Sequence, residues 1–228
     1  PEPLAQHLTD LSEAVVKHQA DLGIAVDPDV DRLVFMDELG ILFGEEYTLV
    51  ACADYVLRQR PGNTVSNLSS TRALAEITRQ HGGNYFASAV GEAHVVELMK
   101  KNNAVLGGEG NGGVIYPDLH YGRDALVGVA LFLSHLCKQD CSVSVLRSQY
   151  PNWIMRKVKI NLTPNHDVES LLNSIANSYT DNTVTRIDGV KIDFSDGWVH
   201  IRKSNTEPII RIFAEAKAEK RLDELVKD

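Results

Sequence analysis

Three aspartates at alternate positions form the strongest chemical feature of the sequence. Asp27, Asp29 and Asp31 lie in the segment DPDVDR, and in an extended loop this spacing places three carboxylates on one side. At a separation of about 5 Å and an effective dielectric constant of about 20, each pair would repel by about 3 kcal/mol. A bound cation removes that cost. Oxygen ligands favour Mg²⁺ or Ca²⁺, and an open coordination position favours Mg²⁺ acting on a phosphate.

Other interpretations of the acidic segment have to be weighed against a metal site. An acidic surface turn has the same composition, and Arg32 is then only the salt-bridge partner of the acids. In a metal site, Arg32 could instead reach a phosphoryl group that shares the metal. An EF-hand loop requires glycine where Arg32 stands. A phosphatase with an aspartate nucleophile normally has Thr or Val where Asp31 stands.

A second candidate site is the glycine-rich segment GGEGNGG, residues 107–113. Glycines allow the backbone to approach a ligand closely. Glu109 offers acceptors, while Asn111 offers both a donor and an acceptor, and neighbouring sugar hydroxyls require this combination. A flexible turn is the alternative. A dinucleotide site fits less well, because the segment lacks the GxGxxG spacing that opens into a helix.

The third candidate is the polar segment RKSNTEPIIR, residues 202–211. Two guanidinium groups with hydroxyl, amide and backbone donors can surround a phosphate. The predicted phosphate-binding residues are Arg202, Ser204, Asn205, Thr206 and Arg211. The alternative is a polar hairpin whose Ser and Asn side chains bond to their own backbone.

The elements around these segments predict an α/β protein in three parts. Residues 1–43 read as the end of an α/β domain that carries the acidic loop, with a helix at 11–20 and a small meander of strands at 22–26, 33–36 and 41–43. Residues 44–149 alternate strands and helices, which predicts a complete doubly wound α/β domain with a parallel sheet and a ligand crevice at the carboxyl ends of its strands. Residues 150–228 predict a smaller α+β domain with an antiparallel sheet.

The composition of the chain argues against some classes of binding partner. The 228 residues carry 23 Lys and Arg against 31 Asp and Glu, a formal charge of −8, which argues against a nucleic-acid partner. No apolar stretch approaches the length of a membrane span, and we expect no membrane partner. Three cysteines without metal-ligand spacing favour a reducing cytoplasm.

Taken in order, DPDVDR, GGEGNGG and RKSNTEPIIR resemble the metal-, sugar- and phosphate-binding loops of the α-D-phosphohexomutase family, which includes phosphoglucomutase, phosphomannomutase and phosphoglucosamine mutase. The resemblance implies reversible transfer of phosphate between the 1 and 6 oxygens of a hexose, through a phosphoserine and a hexose 1,6-bisphosphate. It implies that Asp27, Asp29 and Asp31 bind Mg²⁺ and that Arg32 lies near the phosphoryl group. It further implies that Glu109 and Asn111 hold sugar hydroxyls, and that the 202–211 segment grips the phosphate that is not reacting.

The resemblance covers the C-terminal half of a family member. The serine loop of the family belongs to a first domain, which this chain lacks, and we expect the isolated chain to be inactive without that N-terminal half. We also expect apolar surface to be exposed near residues 1–45, where the missing half would pack. Rival interpretations are a non-catalytic sugar-phosphate-binding module and a metal-dependent sugar phosphatase. Asn111, where many members carry Ser, and Ser69 or Ser70, where some carry a basic residue, leave the preferred hexose open.

Overall fold

The computed structural model describes residues 3, 7–162, 167–204 and 207–227. Contacts divide the chain into two units, Pro1–Pro151 and Asn152–Asp228. The first unit therefore contains both the predicted end of a domain and the predicted doubly wound domain, while the second contains the predicted α+β domain. In the part of the chain that the structure describes, no helix is long and apolar enough to span a bilayer.

The first unit begins with a small layer that carries the acidic segment. Its elements are α1 (Thr9–His18), β1 (Gly23–Val26) and β2 (Leu33–Met36). The two strands pair antiparallel, with Val26 opposite Leu33 at the end next to the acidic loop. The third strand predicted at 41–43 is reduced to a single bridge between Met36 and Leu42, because the chain turns at Gly44 into the next helix.

Apolar side chains are exposed in this opening layer, as expected. They project from α1, from β1 and from the turns beside the strands, and they are Val16, Ile24, Val26, Val30, Leu39 and Ile41.

A four-stranded sheet with helices on both faces forms the rest of the first unit. Its elements are α2 (Glu45–Gln59), β3 (Asn63–Asn67), α3 (Arg72–Gln80), β4 (Tyr85–Ser88), α4 (Glu92–Lys101), β5 (Ala104–Glu109), β6 (Gly113–Ile115), α5 (Ala125–Gln139) and α6 (Val143–Ser148). The strand order is β4-β3-β5-β6, and β3 is parallel to both of its neighbours. Helices α2, α3 and α5 pack together, whereas α4 packs against β3, β4 and β5. Because β4 and β5 lie on opposite sides of β3, right-handed crossovers place α3 and α4 on opposite faces.

Contrary to the predictions, residues 107–113 are not a loop and the sheet is not wholly parallel. Residues 107–109 belong to β5, and β6 returns antiparallel to it, so the glycine-rich segment is a hairpin. The close pairing explains one glycine, because a Cβ on Gly108 would lie 2.0 Å from the carbonyl oxygen of Gly113. The sheet is therefore mixed, with its one antiparallel pair at the candidate site.

The second unit is an antiparallel sheet with two helices. Its elements are β7 (Ile154–Asn161), α7 (Val168–Ser178), β8 (Thr183–Thr185), β9 (Val190–Phe194), β10 (Gly197–Lys203), β11 (Ile209–Ala216) and α8 (Glu219–Lys227), and the strand order is β7-β11-β10-β9-β8. Ala176 of α7 and Leu222 of α8 pack with Ile192, Val199 and Ala214 in one core. Both helices thus cover one face of the sheet, which leaves Arg202 and Arg211 on the other, since side chains alternate along a strand.

Candidate functional site

The acidic loop joins β1 to β2 and brings the three predicted metal ligands together. Asp27, Asp29 and Asp31 each offer an oxygen, and the three oxygens lie within 4.8 Å of one another. Asp27 fixes the loop, because its Oδ1 accepts hydrogen bonds from the amides of Asp31 at 3.1 Å and Arg32 at 3.0 Å. Val30 adopts a φ of 58°, which turns the chain so that the carboxylates converge.

The carboxylates of Asp27 and Asp31 differ in their affinity for protons. Burial alone would raise the pKa of Asp27, but the hydrogen bonds from Arg32 and Asp31 outweigh it and hold that pKa below its usual range. Burial raises the pKa of Asp31, opposed by Arg123 and reinforced by the negative charges of Asp27 and Asp29. A buried oxygen, Asp31 Oδ1, has no hydrogen-bond partner among the described residues. Such a lone pair costs free energy unless a cation or donor meets it, and a hard divalent cation fits the oxygens around it.

Arg32 lies against the same acids, as both of its predicted roles require. Its Nε is 3.6 Å from Asp27 Oδ2 and 3.8 Å from Asp31 Oδ1. These distances are those of an ion pair at the edge of hydrogen-bonding range. The guanidinium is partly exposed.

A second arginine, Arg123, links the acidic loop to the glycine-rich hairpin. Its Nη2 donates to Asp31 Oδ2, its Nη1 donates to Glu109 Oε2 at 2.8 Å, and its Nε donates to Glu92 Oε2 at 2.9 Å. Three separate segments are thus joined through one largely buried guanidinium. We did not predict this residue from sequence, and its only signal is its place next to Asp124, the N-cap of α5.

Glu109, which is predicted to bind the sugar, lies buried at the carboxyl end of β5. Its Oε1 accepts from Asn67 Nδ2 at 2.8 Å and from the Gly91 amide at 3.2 Å. Asn67 ends β3 and Gly91 precedes α4, so all three groups lie at the carboxyl edge of the parallel strands. This is the edge at which the sequence predicts the ligand crevice.

Ser69 and Ser70 act on this same edge through Asn67. The amide of Ser69 and the hydroxyl of Ser70 both donate to Asn67 Oδ1, at 3.0 and 3.1 Å. With its oxygen occupied by these donors, Asn67 directs its amide nitrogen to Glu109. Asn67 is a further residue that sequence reasoning missed.

Asn111, the other predicted sugar ligand, lies at the tip of the hairpin. Its Oδ1 accepts from the Gly113 amide at 3.2 Å, which closes the turn, and its side chain is partly exposed. A Cβ on Gly110 would meet Glu46 Oε2 at 2.1 Å, so the buried carboxylate of Glu46 packs directly under the turn. Glu46 is held in turn by the amide of Thr71 at 2.8 Å.

The acidic loop and its ion pairs carry a large excess of negative charge. Five carboxylates (Asp27, Asp29, Asp31, Glu92 and Glu109) meet two guanidiniums, giving a formal charge of −3 within the described part of this site. This balance favours a divalent cation over an additional anion.

The predicted phosphate-binding segment lies in the second unit, at the β10–β11 turn. Arg202 is buried and donates from Nε to Asp188 Oδ2 at 2.9 Å, while Arg211 donates to Glu207. The backbone amide of Ser204 donates to the Ile209 oxygen at 2.9 Å. The predicted residues Asn205 and Thr206 lie outside the described residues.

Comparison with known proteins agrees with this fold. Family models of phosphoglucomutase/phosphomannomutase match alpha/beta/alpha domain II at residues 1–40, alpha/beta/alpha domain III at 44–153 and the C-terminal domain at 158–228. The chain belongs to the phosphoglucomutase/phosphomannomutase family.

Individual relatives show how much of a family member the chain covers. A phosphoglucomutase/phosphomannomutase of Thermococcus kodakarensis is 36% identical over 98% of this chain and 49% of its own length. A phosphoglucosamine/phosphogalactosamine mutase of Sulfurisphaera tokodaii is 34% identical over 100% of this chain and 51% of its own length. The chain spans about half the length of the curated relatives it matches.

Solved structures agree in fold. A phosphoglucomutase/phosphomannomutase family protein from Burkholderia thailandensis superposes with a TM-score of 0.85 at 26% identity, over 98% of this chain and 48% of that one. The open form of parafusin, a phosphoglucomutase from Paramecium, gives 0.77 at 17% identity, over 100% of this chain and 48% of that one, and supports the fold alone.

Proposed function

We propose that the chain is the C-terminal part of a Mg²⁺-dependent phosphohexomutase that interconverts hexose 1-phosphate and hexose 6-phosphate. The reaction passes through a phosphoserine, supplied by an N-terminal half, and a hexose 1,6-bisphosphate. The single observation that carries this proposal is the convergence of three aspartate oxygens within 4.8 Å, where the buried Asp31 Oδ1 has no hydrogen-bond partner in the described part of the chain. Family membership supports the reaction class.

Different residues of the chain would have different roles in phosphoryl transfer. Asp27, Asp29 and Asp31 would hold Mg²⁺, which supplies neutralisation of charge on the transferring phosphoryl group. Arg32, beside two of these ligands, would contact the same phosphoryl oxygens. Phosphoryl transfer depends mainly on alignment and electrostatic stabilisation, so these residues need no proton chemistry of their own.

The remaining loops would hold the substrate during the two half-reactions. Glu109 and Asn111 would bind sugar hydroxyls: Glu109 has most of its acceptor positions occupied, whereas Asn111 is at the open tip of the hairpin. Arg202, Ser204 and Arg211, with Asn205 and Thr206, would bind the unreactive phosphate. A site that accepts the sugar in two orientations requires an anchor separate from the reacting centre.

Calorimetric titration tests the binding part of this proposal. The chain is titrated with glucose 1-phosphate, mannose 1-phosphate and glucosamine 1-phosphate, with and without Mg²⁺, as the wild type and as Arg211→Gln. We expect Mg²⁺ to strengthen binding, and Arg211→Gln to weaken it about tenfold, the loss expected for a charged hydrogen bond. Arg156→Gln is the matched control, because Arg156 lies on β7 and pairs with Glu219 and Asp223. Equal loss in both variants, or no binding, would contradict the proposal.

Phosphorus NMR of glucose 1-phosphate separates the mutase from its rivals. The isolated chain is expected to leave the signal unchanged, and the same chain extended upstream through a serine loop is expected to produce glucose 6-phosphate. Release of inorganic phosphate would favour a sugar phosphatase. An unchanged signal with the extended chain would favour a non-catalytic sugar-phosphate-binding module.

A further inference from the structure

We infer that Arg123 is a positioning residue that couples metal binding at the acidic loop to the conformation of the glycine-rich hairpin. The inference rests on the proposed function, because it takes the acidic loop as the metal site and the hairpin as the sugar site. In this proposal Arg123 contacts Asp31 and Glu109, and not the metal ion or the sugar themselves. Through Arg123, a change in one loop alters the conformation of the other.

The first argument is the division of hydrogen bonds on Arg123. Its two terminal nitrogens serve different loops, one donating to Asp31 Oδ2 and the other to Glu109 Oε2 at 2.8 Å. Its Nε is held by Glu92 at 2.9 Å. A guanidinium is a rigid planar fork, so a displacement at one of these carboxylates is transmitted to the other two.

Main-chain hydrogen bonds of the two residues after Arg123 place this residue between the acidic loop and the hairpin. The amide of Asp124 donates to the carbonyl oxygen of Val114 in β6 at 2.9 Å. The next amide, Ala125, donates to the carbonyl oxygen of Val30 in the acidic loop at 3.0 Å. The start of α5 is therefore fixed to both loops by main-chain hydrogen bonds, which hold the backbone next to Arg123 between them.

The direction of the coupling follows from the charges. Arg123 occupies Asp31 Oδ2, which leaves the buried Oδ1 to face a cation. A divalent cation on Oδ1 withdraws negative charge from the Asp31 carboxylate and repels the guanidinium, so the bond to Glu109 becomes the stronger of the two. The hairpin is then held more tightly by Arg123. By thermodynamic reciprocity, a ligand that orders the hairpin also strengthens metal binding.

Hydrogen exchange followed by mass spectrometry tests this coupling with Mg²⁺ alone. In the wild-type chain, Mg²⁺ is expected to slow exchange in peptides covering 27–32 and also in those covering 107–113. In Arg123→Gln, Mg²⁺ is expected to slow exchange at 27–32 as in the wild type, while the slowing at 107–113 is reduced about fivefold or more. A purely structural role for Arg123 would change exchange at 107–113 equally with and without Mg²⁺.

Two further variants keep the test decisive. Arg60→Gln removes an arginine that pairs with Asp118 at 3.1 Å on the surface of the same unit, and it should preserve both responses. Arg123→Lys keeps the charge but loses the fork, so it tests the coupling if Arg123→Gln unfolds, and it too should lose the response at 107–113. A wild-type chain that responds at 27–32 but not at 107–113 would overturn the coupling alone. Absence of any Mg²⁺ response would overturn the metal site and the coupling together.

Discussion

Arg202 and Arg211 lie directly opposite each other in the register of β10 and β11. Each guanidinium is paired with its own carboxylate, Asp188 for Arg202 and Glu207 for Arg211. The two pairs differ in burial: the Arg202 side chain is 7% exposed and the Arg211 side chain 30%. Of these two paired positions, the more exposed Arg211 can therefore exchange its carboxylate for another anion more readily than the buried Arg202.

Replacing Glu207 with Gln should strengthen anion binding at this turn. The change removes the carboxylate that competes for Arg211 and leaves a residue of the same size. We expect glucose 1-phosphate to bind several times more tightly in calorimetry, with a change in unfolding free energy within about 0.5 kcal/mol because the pair is exposed. Weaker binding in Glu207→Gln would show that Glu207 itself contributes to the site.

Replacing Asp188 with Asn should instead destabilise the second unit. Asp188 is the hydrogen-bonded partner of the buried Arg202, and a buried guanidinium left without its carboxylate costs about 3–5 kcal/mol. Urea unfolding followed by tryptophan fluorescence measures this loss, because Trp153 and Trp198 both lie in the second unit. A loss as small as that of Glu207→Gln would mean that the burial of Arg202 is not what makes the pair important.

His200 makes the stability of the second unit dependent on pH. It is fully buried, and its Nε2 lies 2.6 Å from the Asp188 carbonyl oxygen, so this nitrogen carries the proton of a neutral ring. Burial, with a smaller effect from Lys191, lowers its pKa from 6.5 to about 4. Because the folded pKa lies below the unfolded one, stability is complete above pH 6.5 and is lost as pH falls towards 4.

The variant His200→Gln isolates this effect. Gln keeps an amide donor for the Asp188 oxygen but does not titrate. We expect its unfolding free energy, measured by tryptophan fluorescence in urea, to change less between pH 7 and pH 4.5 than that of the wild type. Parallel pH profiles for the two proteins would rule out His200 as the titrating group.

Periodic elements could be predicted from the sequence, whereas the glycine hairpin could not. The alternation around β3, α3 and β4 gave the doubly wound order, since apolar side chains mark the faces of strands and helices. Residues 107–109 form a strand although two of them are glycines, because their backbone pairs with β3 and β6. Glycine carries no side-chain signal for such pairing. The short helix α6 was missed for a similar reason, since six residues show too little periodicity.

Some contacts of the candidate site join residues that are close in sequence and could be predicted, whereas others join residues that are far apart in sequence. The three aspartates lie within five residues of one another, so the sequence places them in one loop. They converge through the turn at Val30 and not through the extended chain that the alternate spacing assumed. Arg123 and Asp31 are 92 residues apart, and Asn67 and Glu109 are 42 apart. No local pattern connects such pairs. They become neighbours because the parallel strands end at one edge and because the start of α5 bonds to both loops.

Replacing Val30, the strained residue of the acidic loop, with Asn should stabilise the protein. Val30 has a φ of 58°, which costs a β-branched residue about 1–2 kcal/mol, and its side chain is exposed. Asn tolerates this conformation, so Val30→Asn should raise the unfolding free energy by about 1 kcal/mol. Mg²⁺ affinity should be retained, because Val30 contacts Asp27 and Ala125 through its backbone.

Thermal unfolding followed by circular dichroism, with Mg²⁺ titration by calorimetry, measures both quantities for this change. Val26→Asn is the matched control: Val26 is an exposed valine of β1 without a positive φ, and Asn there should destabilise slightly. A lower melting temperature for Val30→Asn than for Val26→Asn would show that the turn does not require this conformation.

A buried carboxylate joins three helices of the first unit. Asp54 of α2 accepts two hydrogen bonds from Arg58, at 2.9 and 3.1 Å. His81, after α3, and His135 of α5 approach it through Nε2 at 2.7 and 3.1 Å, and the Tyr150 hydroxyl lies 3.3 Å away. Burial alone would raise the pKa of Asp54, but the hydrogen bonds from His135, Arg58 and His81 hold it far below its usual range.

Asp54→Asn should therefore weaken the first unit strongly and change its response to acid. Asn keeps one acceptor oxygen but replaces the other with an NH₂ group and removes the charge, so part of the buried cluster loses its acceptor, which costs about 3–5 kcal/mol. Because the folded pKa is lowered from 3.8, the stabilisation is complete above that pH and is lost below it, so the variant should lose less stability than the wild type as pH falls from 4 to 2. Asp118→Asn, which removes an exposed partner of Arg60, should cost at most about 1 kcal/mol. Hydrogen exchange in peptides from α2 measures the stability of the first unit in the wild type, in Asp54→Asn and in Asp118→Asn. Equal protection of α2 in the two variants would show that Asp54 does not hold these helices together.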